Sequence, residues 1–482
     1  LNVTSESQPS SLASRLLVRK PFSDFQKDSG LKKVLGAFDL TALGIGAIIG
    51  TGIFVITGSA AAKYAGPGII LSFIIAGIAC FFAAMAYAEV ASMIPASGSA
   101  YTYAYSAFGE LAAWIIGWDL VLEYVVASSA VSIGWSAYFV KILHNLHIDL
   151  PAAWIHAPGQ DGGIANLPAM VIALVVTGLL VRGVKESANV NTFFVGVKIL
   201  VLLMFIAITM GAVNPGNWTP FMPFGFKGVM TGAATIFFAY IGFDAISTAA
   251  EEVKNPQRDL PIGLIASLGI CTVFYIAVAA IFTGIIPQSM YPQIVKEAAP
   301  LAFALDYIQK GWAAALLSVG AVGGITSVLV VMMMGQPRIF YAMARDGLLP
   351  SFFAKVHPKF GTPHVTTVIC GIAVALMAGF TPIDTVAELT NIGTLFAFCL
   401  VAIGAWILRR TRPEWPRGFR SPALPLVVVG TVLSCGYMMI SLPVVTWIRF
   451  VAWLALGFVV YFAYGVKHSV LGKGASVTAD AP

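Results

Sequence analysis

The chain has 482 residues, of which 58% are hydrophobic and only 10% charged, and its formal net charge is +6. Soluble domains carry roughly 25% charged residues, so a body this apolar excludes a soluble enzyme and describes a polytopic helical membrane protein. A membrane-crossing helix needs about 20 mostly apolar residues. Twelve such stretches follow one another, at 36–60, 67–94, 111–140, 167–184, 190–213, 228–250, 261–286, 311–342, 364–381, 384–408, 424–444 and 447–466.

Residues 1–35 form a polar, basic arm without the apolar core of a signal peptide. Within it, "SLASRLLVRKPFSDFQKD" (11–28) fits either a short amphipathic segment on the membrane surface or an unstructured arm. The first span holds "GIGAIIGTGIF" (44–54), with Gly44, Gly46, Gly50 and Gly52 where a membrane helix should stay regular. Each glycine costs about 1 kcal/mol relative to alanine in a helix interior. Unwinding there frees the N–H groups of Thr51, Gly52 and Ile53 at the start of the outer half-helix, an arrangement that suits a carboxylate. Close helix packing through the Gly46/Gly50 G-x-x-x-G spacing is the competing reading. A dinucleotide-binding reading of G-x-G fails, because no strand precedes it.

Further along, Glu89, Asp119, Glu123 and Asp244 are acids inside spans. Asp119 and Glu123 are four apart and share one face of span 3; Glu123 is a candidate for contact with a cationic side chain, for a proton pathway, or for helix packing as a neutral carboxyl. His144 and His147 stand at an outer helix end without a third ligand and read as solvated. Lys198, in "NTFFVGVKILVLLMFI", lies about 10 Å along span 5 from Asn191. A charge at that depth is costly and usually functional.

Span 6, "TIFFAYIGFDAISTAAEEVKNP", is interrupted at Gly242 and Asp244. The break frees carbonyls near Phe238, Ala239 and Ile241, which suit an ammonium group. Asp244 is a candidate cap for the inner half-helix, and Glu251 and Glu252 for an inner gate. Broken spans five apart point to an inverted repeat with its site at the breaks. The halves are 36–213 and 228–410, followed by two added spans (424–466) and a tail (467–482). A ligand with carboxylate and ammonium a bond or two apart is an α-amino acid, and each charge-assisted hydrogen bond to it contributes roughly 1.5–3 kcal/mol.

The remaining features bound the answer. Of 28 Lys and Arg, 21 fall on segments that are inner if the arm is cytoplasmic, so the positive-inside rule places both termini in the cytoplasm. The excess charge sets orientation against anionic lipid, and no nucleic-acid surface is needed. The five cysteines all lie in spans without C-x-x-C spacing, which argues against a disulfide framework or zinc site. Neither H-E-x-x-H nor a phosphate loop occurs, so an intramembrane protease and an ATP-driven pump are both disfavoured.

Several long motifs carry a resemblance. "GIGAIIGTGIF", "YAEVASMIPASGSAYTYAYSAFGE" (87–110), "EEVKNPQRDLPIG" (251–263) and "PRIFYAMARDGLLP" (337–350) resemble signatures of the amino acid–polyamine–organocation (APC) superfamily. "GWDLVLEYVVASSAVSIGWS" (117–136) is most similar to the cationic amino acid transporter branch, in its bacterial twelve-span form. The resemblance implies the LeuT fold, all-α, with spans 1 and 6 unwound in a 5+5 inverted repeat plus two helices. It implies alternating access, a substrate carboxylate on Thr51 and Gly52 beside Gly50, and an amine on the carbonyls of Ile48, Phe238, Ala239 and Ile241. Phe238 would be an outer gate, or else a packed core ring. Lys198 would couple a proton, hydrogen-bonding span-1 carbonyls near Gly44 and Ile45, or else serve as a fixed structural charge. Span 8 would line the pocket, where Met332 or Met333 would favour small or medium neutral side chains; at least one of Met332, Met333 and Met334 must face elsewhere. The expected protein is a proton-coupled L-amino acid symporter of the cell membrane, with no cofactor but the proton and no metal. An exchanger and a binding-only sensor are the alternatives.

Overall fold

The computed structural model describes residues 16–21, 33–96, 98–183 and 188–471. Most of the 11–28 stretch, Lys185 and the tail beyond 471 lie outside the described residues. Among those described, eight helices are long and apolar enough to cross a membrane, and four shorter apolar helices accompany them. They overlap the expected stretches, with one of them, Gly52–Met93, running across the first and second.

The first stretch becomes two pieces, α1 (Ala37–Ile48) and α2 (52–65), because Ile49 leaves the helical region (φ −73°, ψ 101°). There follow α3 (Ile69–Met93), α4 (Ser99–Ala107), α5 (Glu110–Asn145), α6 (Leu167–Arg182) and α7 (Ala188–Thr209). The sixth stretch is again divided: α8 (Gly225–Ile236), a tight turn over Phe237–Tyr240, and a short 3-10 helix over Asp244–Glu252. Then come α9 (Pro256–Ile285), α10 (Gly311–Arg345), α11 (His364–Phe380), α12 (Ile383–Thr411), α13 (Leu424–Ile440) and α14 (Val444–Val460).

Position follows polarity. The most apolar window of α5 is 78% buried inside the protein, whereas that of α14 is only 22% buried, so α5 is a central post and α14 faces the surroundings. α5 packs on α10 and α12, α9 on α3 and α1, and α6 on α11. α14 is tied to α5 by tryptophans: Trp118 and Trp453 stack with ring centroids 4.6 Å apart, and each indole N–H donates to the other's backbone carbonyl.

Two connections hold more structure than expected. The segment between α3 and α5 contains α4, whose nine residues are all buried. The long connection before α10 contains the short helix Pro300–Tyr307. Where the arm enters α1, Val34 and Leu35 donate their N–H groups to the Glu252 carbonyl (2.9 and 3.0 Å), and Lys254 N–H donates to Leu35 O at 2.9 Å. These bonds staple the outermost ends of the two broken helices together.

Candidate substrate-binding site

The two interruptions lie against each other. At Gly52 an added Cβ would stand 2.3 Å from Ala239 Cα, closer than any side chain tolerates. Glycine there lets the start of α2 touch the turn after α8. Gly242 has φ +113°, a conformation that a side chain resists, and a Cβ on it would lie 2.9 Å from the Ala47 carbonyl oxygen. The first N–H groups of α2 have no intrahelical acceptor because the helix begins there; the regular ladder resumes with Phe54 N–H to Gly50 O at 3.3 Å. The close-packing reading also has substance, since Gly44 and Gly50 face Ser267 and Val328 at short range. Glycine serves both purposes within one motif.

The carbonyls at the second interruption are held by side chains from elsewhere. Tyr275 of α9 places its hydroxyl 2.9 Å from Ile48 O and 2.6 Å from Ala239 O, bridging the two broken helices. Asn391 of α12 donates to Ala234 O (2.7 Å) and Thr235 O (3.1 Å) at the end of α8. Phe238 O accepts from Ile241 N–H at 3.2 Å. Two of the four carbonyls expected to receive an amine, those of Ile48 and Ala239, therefore share one phenol that can donate only a single proton at a time. Thr51 turns its hydroxyl toward α5, 3.4 Å from Val131 O, and its side chain occupies the notch at Gly134.

Lys198 is fully buried on α7, and its ammonium donates to Gly46 O at 2.5 Å. The acceptor is one and two residues beyond the Ile45 and Gly44 carbonyls expected. Its methylenes run past Gly324 of α10, where a Cβ would come within 2.8 Å of Lys198 Cγ. A buried lysine amine thus sits on the last turns of α1, beside the first interruption.

Comparison with known proteins agrees with this architecture. A family model described as amino acid permease matches residues 35–466. The chain belongs to the amino acid permease family. It is 50% identical to the methylthioribose transporter of Bacillus subtilis over 464 residues, covering 95% of this chain and all of that protein. It is also 50% identical to the branched-chain amino acid permease BcaP of the same organism over 449 residues (92% of this chain, 96% of that one). To the vacuolar cationic amino acid transporter 4 of Arabidopsis thaliana it is 38% identical, over 80% of this chain and 64% of the relative. The permease is therefore a multi-pass membrane transporter, not an enzyme.

The other residues singled out from sequence divide into those at the breaks and those remote from them. Met332 of the permease lies at the second interruption, its Cε 2.9 Å from where a Gly242 Cβ would be. Met333 is buried as well, while Met334 is partly exposed. Phe238 is buried; among the described residues it makes no ring contact, unlike its neighbours Phe237 and Phe243, which both pack on Phe398. Asp119 and Glu123 are buried on one face of α5, with both Asp119 oxygens and Glu123 Oε2 lacking a protein hydrogen-bond partner. Gln336 of α10 reaches the backbone between them, donating to Val121 O at 3.2 Å.

One expectation needs correction, and two further acids can be placed. The N-cap of the short helix falls on Phe243, so Asp244 is its first residue and not its cap. Glu252 contributes to closure through its backbone carbonyl. Glu89 is anchored at the end of α3 by Arg409 and by the Ser421 N–H (3.0 Å). Sequence reasoning missed Tyr275 and Asn391; the available signal was a polar side chain in mid-span, in "CTVFYIAV" and "LTNIGTLF".

Ion pairs join separate segments at both faces of the molecule. On the face carrying the termini, Lys20 meets Asp346 at 2.9 Å and Tyr101 donates to the same carboxylate at 2.7 Å. On the opposite face Lys63 pairs with Asp384, and Lys141 with Asp306 at 2.7 Å.

Proposed function

We propose that the permease is a proton-driven L-amino acid importer of the cell membrane, with twelve spans in the LeuT arrangement and both termini cytoplasmic. The observation that carries this reading is the contact between the two interruptions, Gly52 on Ala239 with the Tyr275 hydroxyl spanning Ile48 O and Ala239 O. That contact brings the N–H groups freed at one break beside the carbonyls freed at the other, which supports recognition of a zwitterion without any charged side chain. The substrate carboxylate lies on Thr51 and Gly52 beside Gly50, and the ammonium on the carbonyls of Ile48, Phe238, Ala239 and Ile241. To reach two of those carbonyls the ammonium displaces the Tyr275 proton.

The pairing of α3 with α9, α5 with α10 and α6 with α11 supports the inverted repeat, since these are spans 2 and 7, 3 and 8, and 4 and 9, each pair five spans apart. Ion pairs at both faces support alternating access, with Lys20–Asp346 on the cytoplasmic side and Lys63–Asp384 outside. Lys198 carries the coupling proton: charged, it holds Gly46 O and closes the end of α1; neutral, it releases it. Met332 at the break limits the side-chain space and favours small or medium neutral substrates. Glu123 offers in Oε2 an unpartnered carboxyl oxygen for a cationic side chain.

The two relatives at 50% identity bear the names of different substrates, so the test includes both. Proteoliposomes containing the permease should accumulate labelled L-leucine or L-alanine under an inward proton gradient. Unlabelled branched-chain amino acids should compete, and 5-methylthioribose should not. Lys198→Ala should abolish accumulation while retaining binding. Competition by methylthioribose alone would overturn the zwitterion site. Uptake that requires internal amino acid and ignores the gradient would make the permease an exchanger.

A further inference from the structure

The turn between α12 and α13 takes no part in the site, yet its backbone is held by a dense set of hydrogen bonds from its own arginines. Arg417 folds it from within. Its guanidinium donates to Leu408 O, Arg412 O and Trp415 O, each at 2.9 Å. Glu89 holds the base of the turn through Arg409 and Ser421, and lies 3.5 Å from Arg417 Nε. That carboxylate is fully engaged by these groups.

Three arginines are left pointing outward: Arg410, Arg412 and Arg420, all exposed. Among the described residues neither Arg410 nor Arg420 has an ion-pair partner, and Arg412 has only the exposed Glu414 at 4.0 Å. Arg410 stacks 4.6 Å above the Trp406 ring, and Arg412 lies 6.0 Å from that of Trp415. Tryptophan settles at the membrane–water interface, so the two indoles hold these cations at headgroup level. Directly beyond the turn, α13 exposes Leu426, Val429, Leu433, Tyr437 and Ile440. Steps of three and four residues put them on one helix face. Planar cations with forked donors match phosphate oxygens, and the apolar stripe beginning at the same place matches an acyl chain. The two features together describe an amphiphile; a free anion would use only the first.

We propose that this turn and the adjoining face of α13 bind an anionic phospholipid, its phosphate on Arg410, Arg412 and Arg420 and one acyl chain along the Leu426–Ile440 stripe. The headgroup's negative charge offsets part of the positive charge gathered on the turn and so steadies it. It also acts at a distance. Gly418 presses on the start of α9, where a Cβ would meet Gln257 Cβ at 2.2 Å. The residues just before it, 252–254, form the staple to Leu35 that joins the broken helices. Lipid on the turn therefore supports the stapled terminal face. This reading needs only a membrane protein and does not depend on which substrate is carried.

The test is lipid retention by the full purified chain in native mass spectrometry, with phosphatidylglycerol against phosphatidylcholine. Wild type should keep phosphatidylglycerol and gain thermal stability from it, but not from phosphatidylcholine. R410Q/R412Q/R420Q should weaken retention on the order of 100-fold, from three lost interfacial charges, while K355Q/K359Q in another basic turn should not. Equal retention by the triple variant would overturn the site. Glycerol phosphate has the head without the tail; if it reproduces the stabilisation, the turn is an anion site and the lipid assignment is wrong. A measurement on wild type alone guards against misfolding of the variant: photoreactive phosphatidylglycerol should crosslink within 406–440, and crosslinks confined elsewhere would also overturn the proposal.

Discussion

The two interruptions solve the same problem by different means. Breaking a membrane helix exposes backbone groups that hydrocarbon cannot satisfy, so irregular backbone survives at depth only where protein or a polar cavity receives it. The first interruption is short, confined to residues 49–51 between α1 and α2. Gly50 within it and Gly52 just after it carry no side chain, and their neighbours Val328 and Ala239 come close enough to seal it. The second runs from Phe237 to Phe243, is built of aromatic residues, and turns through the positive φ of Gly242. Some of its carbonyls are met locally, as Phe238 O is by Ile241 N–H. But Tyr275 arrives from α9 to take Ala239 O, and Asn391 from α12 to take Ala234 O and Thr235 O at the end of α8. One break relies on the absence of side chains, the other on borrowed ones. The first should therefore be damaged by adding atoms and the second by removing them.

The largest expected effect is at Gly52. Valine there must displace Ala239 backbone from 2.3 Å, and backbone cannot rotate aside as a flexible side-chain end can. A penalty near the upper end of overpacking, about 3 kcal/mol, corresponds to a loss of affinity on the order of 100-fold. Equilibrium binding of labelled substrate to the purified variant measures it. Affinity equal to wild type would mean that contact between the breaks is not the site.

Tyr275→Phe tests the borrowed group at the second break, with a smaller effect. The variant keeps the ring but leaves Ile48 O and Ala239 O without their donor in the empty protein. A buried acceptor left unsatisfied costs about 1–3 kcal/mol, so the uptake rate should fall roughly 10-fold. A bound ammonium can replace the missing donor, which makes KM unchanged or lower while the maximal rate drops. Initial uptake rates across substrate concentration separate the two parameters. A raised KM with an unaltered maximal rate would instead make the hydroxyl a direct substrate ligand.

The same contrast explains what could be read from the chain. Glycines clustered in an apolar run, a lysine deep in a span, and Gly242 with Asp244 inside another are local anomalies, visible without a fold. The partners that complete the site are not local. Tyr275 lies 227 residues from Ile48, and Asn391 lies 157 from Ala234; nothing in "CTVFYIAV" says which carbonyl its tyrosine will meet. Lys198 could be assigned to the end of α1 but not to Gly46, because a shift of one residue between segments 152 apart depends on how α7 and α10 pack. The buried α4 was hidden for a related reason. Its run "SAYTYAYSA" is polar enough to pass for a loop, and its tyrosines become buried only when Asp346 and Glu110 accept from Tyr101 and Tyr105.

The smallest effect sharpens the first half of the comparison. Gly50 belongs to the same motif as Gly52 and stands two residues away, yet its surroundings differ in kind. A Cβ there would meet Val328 Cγ2 at 3.0 Å, the end of a side chain on α10, with the next atoms at 3.6 Å. Val328 needs to yield only a few tenths of an ångström, and alanine also recovers part of the backbone entropy that glycine loses on folding. The two terms oppose each other, so Gly50→Ala should change affinity by less than about 3-fold, within roughly 0.6 kcal/mol. If it is instead as damaging as the change at Gly52, sealing by close approach is not what glycine provides here. The motif would then be needed for backbone freedom during the transport cycle, which binding measurements and uptake rates on this one variant would resolve: intact affinity with lost uptake for freedom, and both lost together for packing.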